Sequence, residues 1–243
     1  AGKVTLRRLL SHSAGLTVHG FPGYAVTADM PAVPQILDGA KPANTQAVRV
    51  NVEPGSTWRY SGGGYTVMQL LLADTSKLTF PDLMNKMVLS RIGMKRSTYA
   101  QPLPAEWEAN AARGHRGNGK MIDGRWHVYP EMAAAGLWTT PSDLARFLIE
   151  VWKSAKGESN KVVEKATALE MLKVQKGSYG LGFGIEGEGA AQWFGHGGSN
   201  EGFKCRMVMF RESGDGIVLA RFELMTTVAP LSMTAKSPNE PDG

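Results

Sequence analysis

The stretch FGHGGSNEGF, Phe194 to Phe203, sets one histidine, His196, among glycines 195, 197, 198 and 202. Two more glycines, Gly182 and Gly184, stand upstream, and the apolar alternation Cys205, Met207, Met209 follows at once. A period of two reads as a strand. Glycines at a strand edge let its backbone approach another group closely.

Outward from this stretch the period of two persists. Strands are expected over 179–185, 192–194, 203–210 and 216–224, with Gly187-Glu188-Gly189 and Ser213-Gly214-Asp215-Gly216 as turns. That is an antiparallel meander. Before Ser178 the period is 3.6. A short helix over 5–12, capped by Thr5 and closed by Gly15, is followed by an irregular stretch to about Trp58 with five prolines and one or two helical turns over 33–37. A long structured loop of this kind usually covers a site.

A clear helix runs from the turn at Tyr60-Ser61-Gly62 to about Ser76, and a second over 81–91 has Pro81 in its first turn. Residues 101–126 read as loops and short strands. Thr140-Pro141-Ser142-Asp143 opens a helix expected to bury Leu144, Phe147, Leu148, Val151 and Trp152, and another helix is expected over 161–173. Helices followed by a run of strands make an α+β fold. The expected organisation is a mainly helical region over 1–175, antiparallel strands over 176–226 and an irregular tail over 227–243.

Composition narrows the function. Of 243 residues 42% are hydrophobic and 20% charged, a globular balance with ample length for a core. No run of eighteen apolar residues exists, so no membrane span is expected. The net charge of +5 is interleaved rather than striped, which argues against a nucleic-acid partner. Cys205 is the sole cysteine, excludes an internal disulfide, and reads as a small buried apolar residue. The start, Ala1 to Leu6, has neither an initiator Met nor a signal-peptide pattern, so the compartment stays open.

Two motifs fail on their context, and two others are absent. Gly114-His115-Arg116-Gly117-Asn118-Gly119-Lys120 spells a phosphate loop up to its lysine, but Met121 stands where the magnesium-binding hydroxyl belongs. Gly182-Phe183-Gly184-Ile185-Glu186-Gly187 matches a dinucleotide fingerprint inside an expected strand with no helix behind it. His12, His19, His115, His127 and His196 form no metal spacing, and no G-x-S-x-G occurs. No metal or cofactor is expected.

Three stretches make sense jointly: Tyr60-Ser61-Gly62, feeding a helix; His196-Gly197-Gly198, on a strand edge; and the run Ala135 to Ala145. Here the chain resembles the serine β-lactamase and penicillin-binding protein superfamily, in its class C-like, D-aminopeptidase and family VIII-type esterase branches. The resemblance covers about Val4 to Val218. Its further marks are Leu9-Leu10-Ser11-His12-Ser13-Ala14-Gly15-Leu16, Glu53 through Ser61, and Ile92-Gly93-Met94-Lys95-Arg96-Ser97-Thr98.

The resemblance implies a β-lactamase/transpeptidase-like α+β fold and a hydrolase that cleaves an ester, amide or β-lactam through an acyl-enzyme, foremost as a carboxylesterase. It makes Tyr60 the phenol that moves the proton. His196, Gly197 and Gly198 become a cleft wall, with His196 offering a hydrogen bond or charge near a substrate carboxylate. Ser199 supplies an oxyanion N–H, and Ser61 joins the substrate-binding residues.

The chain departs from the pattern in three ways. No lysine has a serine three residues before it, so the S-x-x-K nucleophile and base are absent from the sequence. Gly62 stands where the family's Tyr-x-Asn element has asparagine. After Ala220 no apolar helical face follows. The family's first strands, its nucleophile helix and its last helix are therefore expected to be missing, and a homo-oligomer is expected to cover the surface so exposed. Three readings stay open: a hydrolase of which the chain is a segment or that uses another nucleophile such as Ser11, Ser61 or Ser199, a silent relative serving as a binding or scaffold protein, and a truncated fragment with no role of its own.

Overall fold

In the computed structural model the helical region comes first along the chain, and the described residues are 2–222. The tail expected over 227–243 lies outside them, as do Glu223 and Leu224 of the last expected strand.

Helix α1 (Leu6–Leu10) is capped by Thr5, whose side chain accepts from the Arg8 N–H. It closes at Ser11 rather than Gly15: the Ser11 N–H bonds back to the Arg7 carbonyl and the His12 N–H to the Leu9 carbonyl, and His12 turns out of the helix at φ 53°. The irregular stretch holds a two-residue strand, β1 (Tyr24–Ala25), and α2 (Val33–Asp38). Helix α3 (Gly62–Ser76) starts at Ser61, whose hydroxyl accepts from the Gly64 N–H at 3.1 Å. A side chain at Gly63 would put its Cβ 2.8 Å from a Val48 methyl and 3.0 Å from the Thr17 carbonyl. Glycine is what lets this helix end press onto the loop. Leu9, Ala14, Leu16, Val48 and Met68 form one buried cluster there.

The expected helix over 81–91 begins as α4 (Phe80–Met84) and widens into a π-helical turn over Asn85–Leu89. The loops that follow carry one helical turn, α5 (Ala105–Glu108), and strand β2 (His127–Val128), which pairs with β1. The phosphate-loop look-alike is a tight excursion: His115 bridges to Met121 and no helix follows. A single turn, α6 (Met132–Ala135), precedes α7 (Pro141–Lys156).

Thr140 caps α7, accepting from the Asp143 N–H at 3.2 Å with Pro141 in the first turn. Asp143 is itself buried; its carboxylate takes the Ser97 hydroxyl and Arg96 N–H at 2.8 Å each and Arg146 at 2.7 Å. The run Thr139 to Asp143 thus fastens the 96–98 loop to the start of α7. Thr140→Ala is expected to destabilise the fold by about 1 kcal/mol, read from urea unfolding midpoints.

The expected last helix is shorter, α8 (Lys165–Met171). Strands β3 (Gly184–Glu186), β4 (Trp193–Asn200), β5 (Phe203–Phe210) and β6 (Gly216–Phe222) form one antiparallel sheet in chain order, the expected meander. Two boundaries move. β3 begins only at Gly184, after Gly182 at φ 89°, and β4 runs through the glycines to Asn200 instead of stopping at Phe194. β3 pairs only with residues 193–195 of β4, so among the described residues no strand flanks that edge from His196 to Asn200.

Helices α7 and α8 cover one face of the sheet, where Leu148, Val151, Leu172, Phe183, Ile185, Phe194 and Met209 form the second core. Of the residues expected buried on α7, Leu148 and Val151 are; Leu144, Phe147 and Trp152 are half-buried. Trp152 donates its indole N–H to the Arg211 carbonyl at 3.0 Å, tying the helix to the strand end. Cys205 is exposed, not buried as expected: it pairs with Gly198, which has no side chain to cover the thiol.

Candidate active site

The site forms where the start of α3 meets the outer half of β4. Tyr60, just before the α3 cap, is half-buried, and its hydroxyl lies 3.4 Å from His196 Nε2. The two residues the sequence singled out, 136 positions apart, are thus brought together.

Around the pair is an aromatic cluster. The ring centroid of His12 lies 4.0 Å from that of Tyr60, 5.2 Å from Tyr65 and 4.9 Å from Tyr179. His19 stands 4.8 Å from Tyr60 on the exposed side, and Tyr179 packs edge-on against His196. Trp58 lies 5.9 Å from Tyr179.

Burial sets the charge state. It pushes His12 down to about 3, with His196 and His19 adding to the shift. It also lowers His196, with Arg206 nearby pushing the same way. Tyr60 is raised by burial, as are Tyr65 and Tyr179, more strongly. At neutral pH His12 and His196 are therefore neutral imidazoles, and Tyr60, Tyr65 and Tyr179 are protonated phenols.

The glycine wall is open. Gly197, Gly198 and Ser199 are exposed, and a Cβ at Gly198 would lie 2.5 Å from the Cys205 sulfur. Strand alternation puts the thiol, Gly198 and His196 on one face and the Ser199 side chain on the other, where it accepts from the Lys204 ammonium. Ser61, expected among the substrate-binding residues, is buried; its hydroxyl donates to the Thr17 carbonyl at 2.6 Å while it caps α3. Ser11 is buried too, bonded to Ser13. At Gly62, where an asparagine was expected, a Cβ would meet the His19 carbonyl at 3.1 Å.

The β4–β5 turn is fixed from behind. Asn200 donates to the Ala135 carbonyl at 2.8 Å, and the Glu201 N–H to the Tyr129 hydroxyl at 2.9 Å. In the same 129–135 segment sits Glu131, 0% exposed, with no partner of good hydrogen-bond geometry for either carboxylate oxygen among the described residues. Burial raises its pKa to about 7, against a smaller opposing pull from its own backbone N–H and the Tyr24 hydroxyl.

His12, Tyr65, Tyr179 and Glu131 carried no site signal in the sequence. His12 lies just past the end of α1, and its Nδ1 accepts the N–H of Ser61, beside Tyr60. No group of three metal-ligating side chains exists among the described residues, and no described helix is long and apolar enough to cross a membrane.

A helical region set beside a four-stranded antiparallel sheet is a fold shared with solved structures of penicillin-binding proteins and amidases. A penicillin-binding protein from Bacillus halodurans superposes with a TM-score of 0.69 at 18% identity, over 92% of this chain and 69% of that one. A D-amino acid amidase from Ochrobactrum anthropi SV3 gives 0.67 at 21%, over 89% and 64%. An octameric penicillin-binding protein homologue from Pyrococcus abyssi gives 0.69 at 21%, over 90% and 52%. At such identities the likeness speaks for the fold, and the chain spans between about half and two thirds of these proteins' length. No curated protein sequence matches the chain significantly. The model of the Beta-lactamase family matches residues 1–230, and the chain belongs to that family.

Proposed function

We propose that the chain provides the phenol-and-glycine side of a serine hydrolase cleft that cleaves small esters, carboxylesterase-fashion, with amides and β-lactams as related substrates. The observation that carries this is the contact between the Tyr60 hydroxyl and His196 Nε2, beside a strand edge, free among the described residues, that carries the two exposed glycines 197 and 198. The phenol can take the nucleophile's proton on its oxygen while handing its own to the neutral His196, so the imidazolium charge forms only together with the oxyanion. In this reading Tyr60 passes the proton between nucleophile and leaving group, His196 accepts from the phenol, Gly197 and Gly198 admit the acyl part, and the Ser199 N–H faces the oxyanion. The chemistry runs on side chains and backbone alone.

Of the serines considered as nucleophile, Ser11 and Ser61 are buried and only Ser199 is exposed. With no S-x-x-K in the sequence, this burial favours a second reading, a catalytically silent relative that binds such molecules. Intact-mass analysis after a fluorophosphonate or penicillin separates the two. One adduct, mapped to a serine, is the expected result. A folded chain that gains no mass overturns the hydrolase reading in favour of the silent one. Self-association fits either reading, since Ile217 and Leu219 on β6 are 46% and 47% exposed.

A further inference from the structure

We propose that His12 is the positioning residue of Tyr60: it bonds the backbone on both flanks of the tyrosine and stacks on its ring, aiming the phenol at His196. The name of the reaction rests on the acyl-transfer reading; the positioning itself does not.

Three contacts make the clamp. The Arg59 N–H donates to the His12 carbonyl at 2.8 Å, the Ser61 N–H donates to His12 Nδ1 at 3.1 Å, and the two rings lie 4.0 Å apart with planes at 32°. Tyr60 therefore has a His12 bond on either side of it in the chain. His12 sits at φ 53°, the left-handed region, where a residue with a side chain persists only when its surroundings hold it there. The bonds to Arg59 and Ser61 are such a hold.

The chemistry of the ring argues against a filler. Because a backbone N–H donates to Nδ1, the neutral ring must carry its proton on Nε2. That N–H is buried and has no acceptor among the described residues. A buried donor without a partner is a liability that leucine or phenylalanine would avoid while filling the same space. What histidine supplies, and they do not, is an acceptor within a flat ring, which serves Ser61 and Tyr60 together.

The test reads Tyr60 without requiring turnover. The phenol is titrated by ultraviolet difference, each chain against its own Tyr60→Phe counterpart. His12→Phe keeps a ring and loses the acceptor; it is expected to move the Tyr60 titration down, toward the ordinary tyrosine value, by about half a pH unit or more. His12→Asn keeps an acceptor and tolerates the left-handed backbone, and is expected to leave the titration near that of the parent. A folded His12→Phe chain that titrates like the parent overturns the proposal. Should that variant not fold, the ring-nitrogen NMR shifts of the parent decide: an Nε2–H tautomer supports the clamp and an Nδ1–H tautomer overturns it. Where ester turnover is measurable, His12→Phe should lower kcat with little change in KM. Equal rates for the parent and Tyr60→Phe would instead sink the acyl-transfer reading and leave the titration to judge His12.

Discussion

Tyr60→Phe is expected to lower the hydrolysis of a short-chain p-nitrophenyl ester by about a hundredfold or more, with KM nearly unchanged. The substitution removes one oxygen and keeps the ring that stacks on His12 and touches His19. Folding should therefore be nearly unaffected, which urea midpoints of the two chains check. What disappears is the hydroxyl 3.4 Å from His196 Nε2, the group proposed to carry the proton. Burial raises the phenol's pKa, so it stays protonated across the neutral range and its contribution should not fade as pH rises toward 9. A variant that hydrolyses the ester as fast as the parent would remove Tyr60 from the mechanism.

Glu131→Gln is expected to stabilise the protein at pH 8 by roughly 2–3 kcal/mol and to have little effect near pH 5. The carboxyl is fully buried, and its folded pKa lies near 7 against an ordinary 4.5. Between those two values the folded chain holds a proton that the unfolded chain releases, so stability falls as pH rises from about 4.5 to about 7 and stays low above it. Glutamine mimics the protonated acid and does not titrate. His12 acts in the opposite sense: with its folded pKa near 3, stability falls as pH drops from about 6.5 toward 3. Both chains contain His12, so subtracting their unfolding free energies at each pH isolates Glu131. A difference that does not change between pH 5 and pH 8 would show that Glu131 is ionised in the fold at both.

The sheet was legible because its signal is local: alternation and turn residues lie next to one another in the chain. Thr140 was likewise placed by capping chemistry, which acts over three residues; Ser61, expected to bind substrate, turned out to cap α3. The limits of β3 and β4 were not, since glycine carries no alternation and the partner strand decides where pairing stops. The meeting of Tyr60 with His196 was suggested by resemblance alone; no local rule links positions on different elements. His12 and Tyr179 gave no signal because stacking and an orphaned N–H exist only after packing. Glu131 stands ahead of an alanine run with nothing in the sequence to mark it, and only burial gives it a distinct pKa. The exposure of Cys205 depended on the residue across the strand being glycine.

The Tyr60–His196 contact also bears on the order in which the molecule assembles. It closes a loop of 136 positions, and the chain entropy lost in closing such a loop is recovered only when both ends are already shaped. The start of α3 and the outer half of β4 must each be in place first. During refolding, helical signal should therefore recover before the Tyr60 environment does. A probe of that phenol counts the molecules that have finished folding, whereas far-ultraviolet dichroism also counts those still on the way.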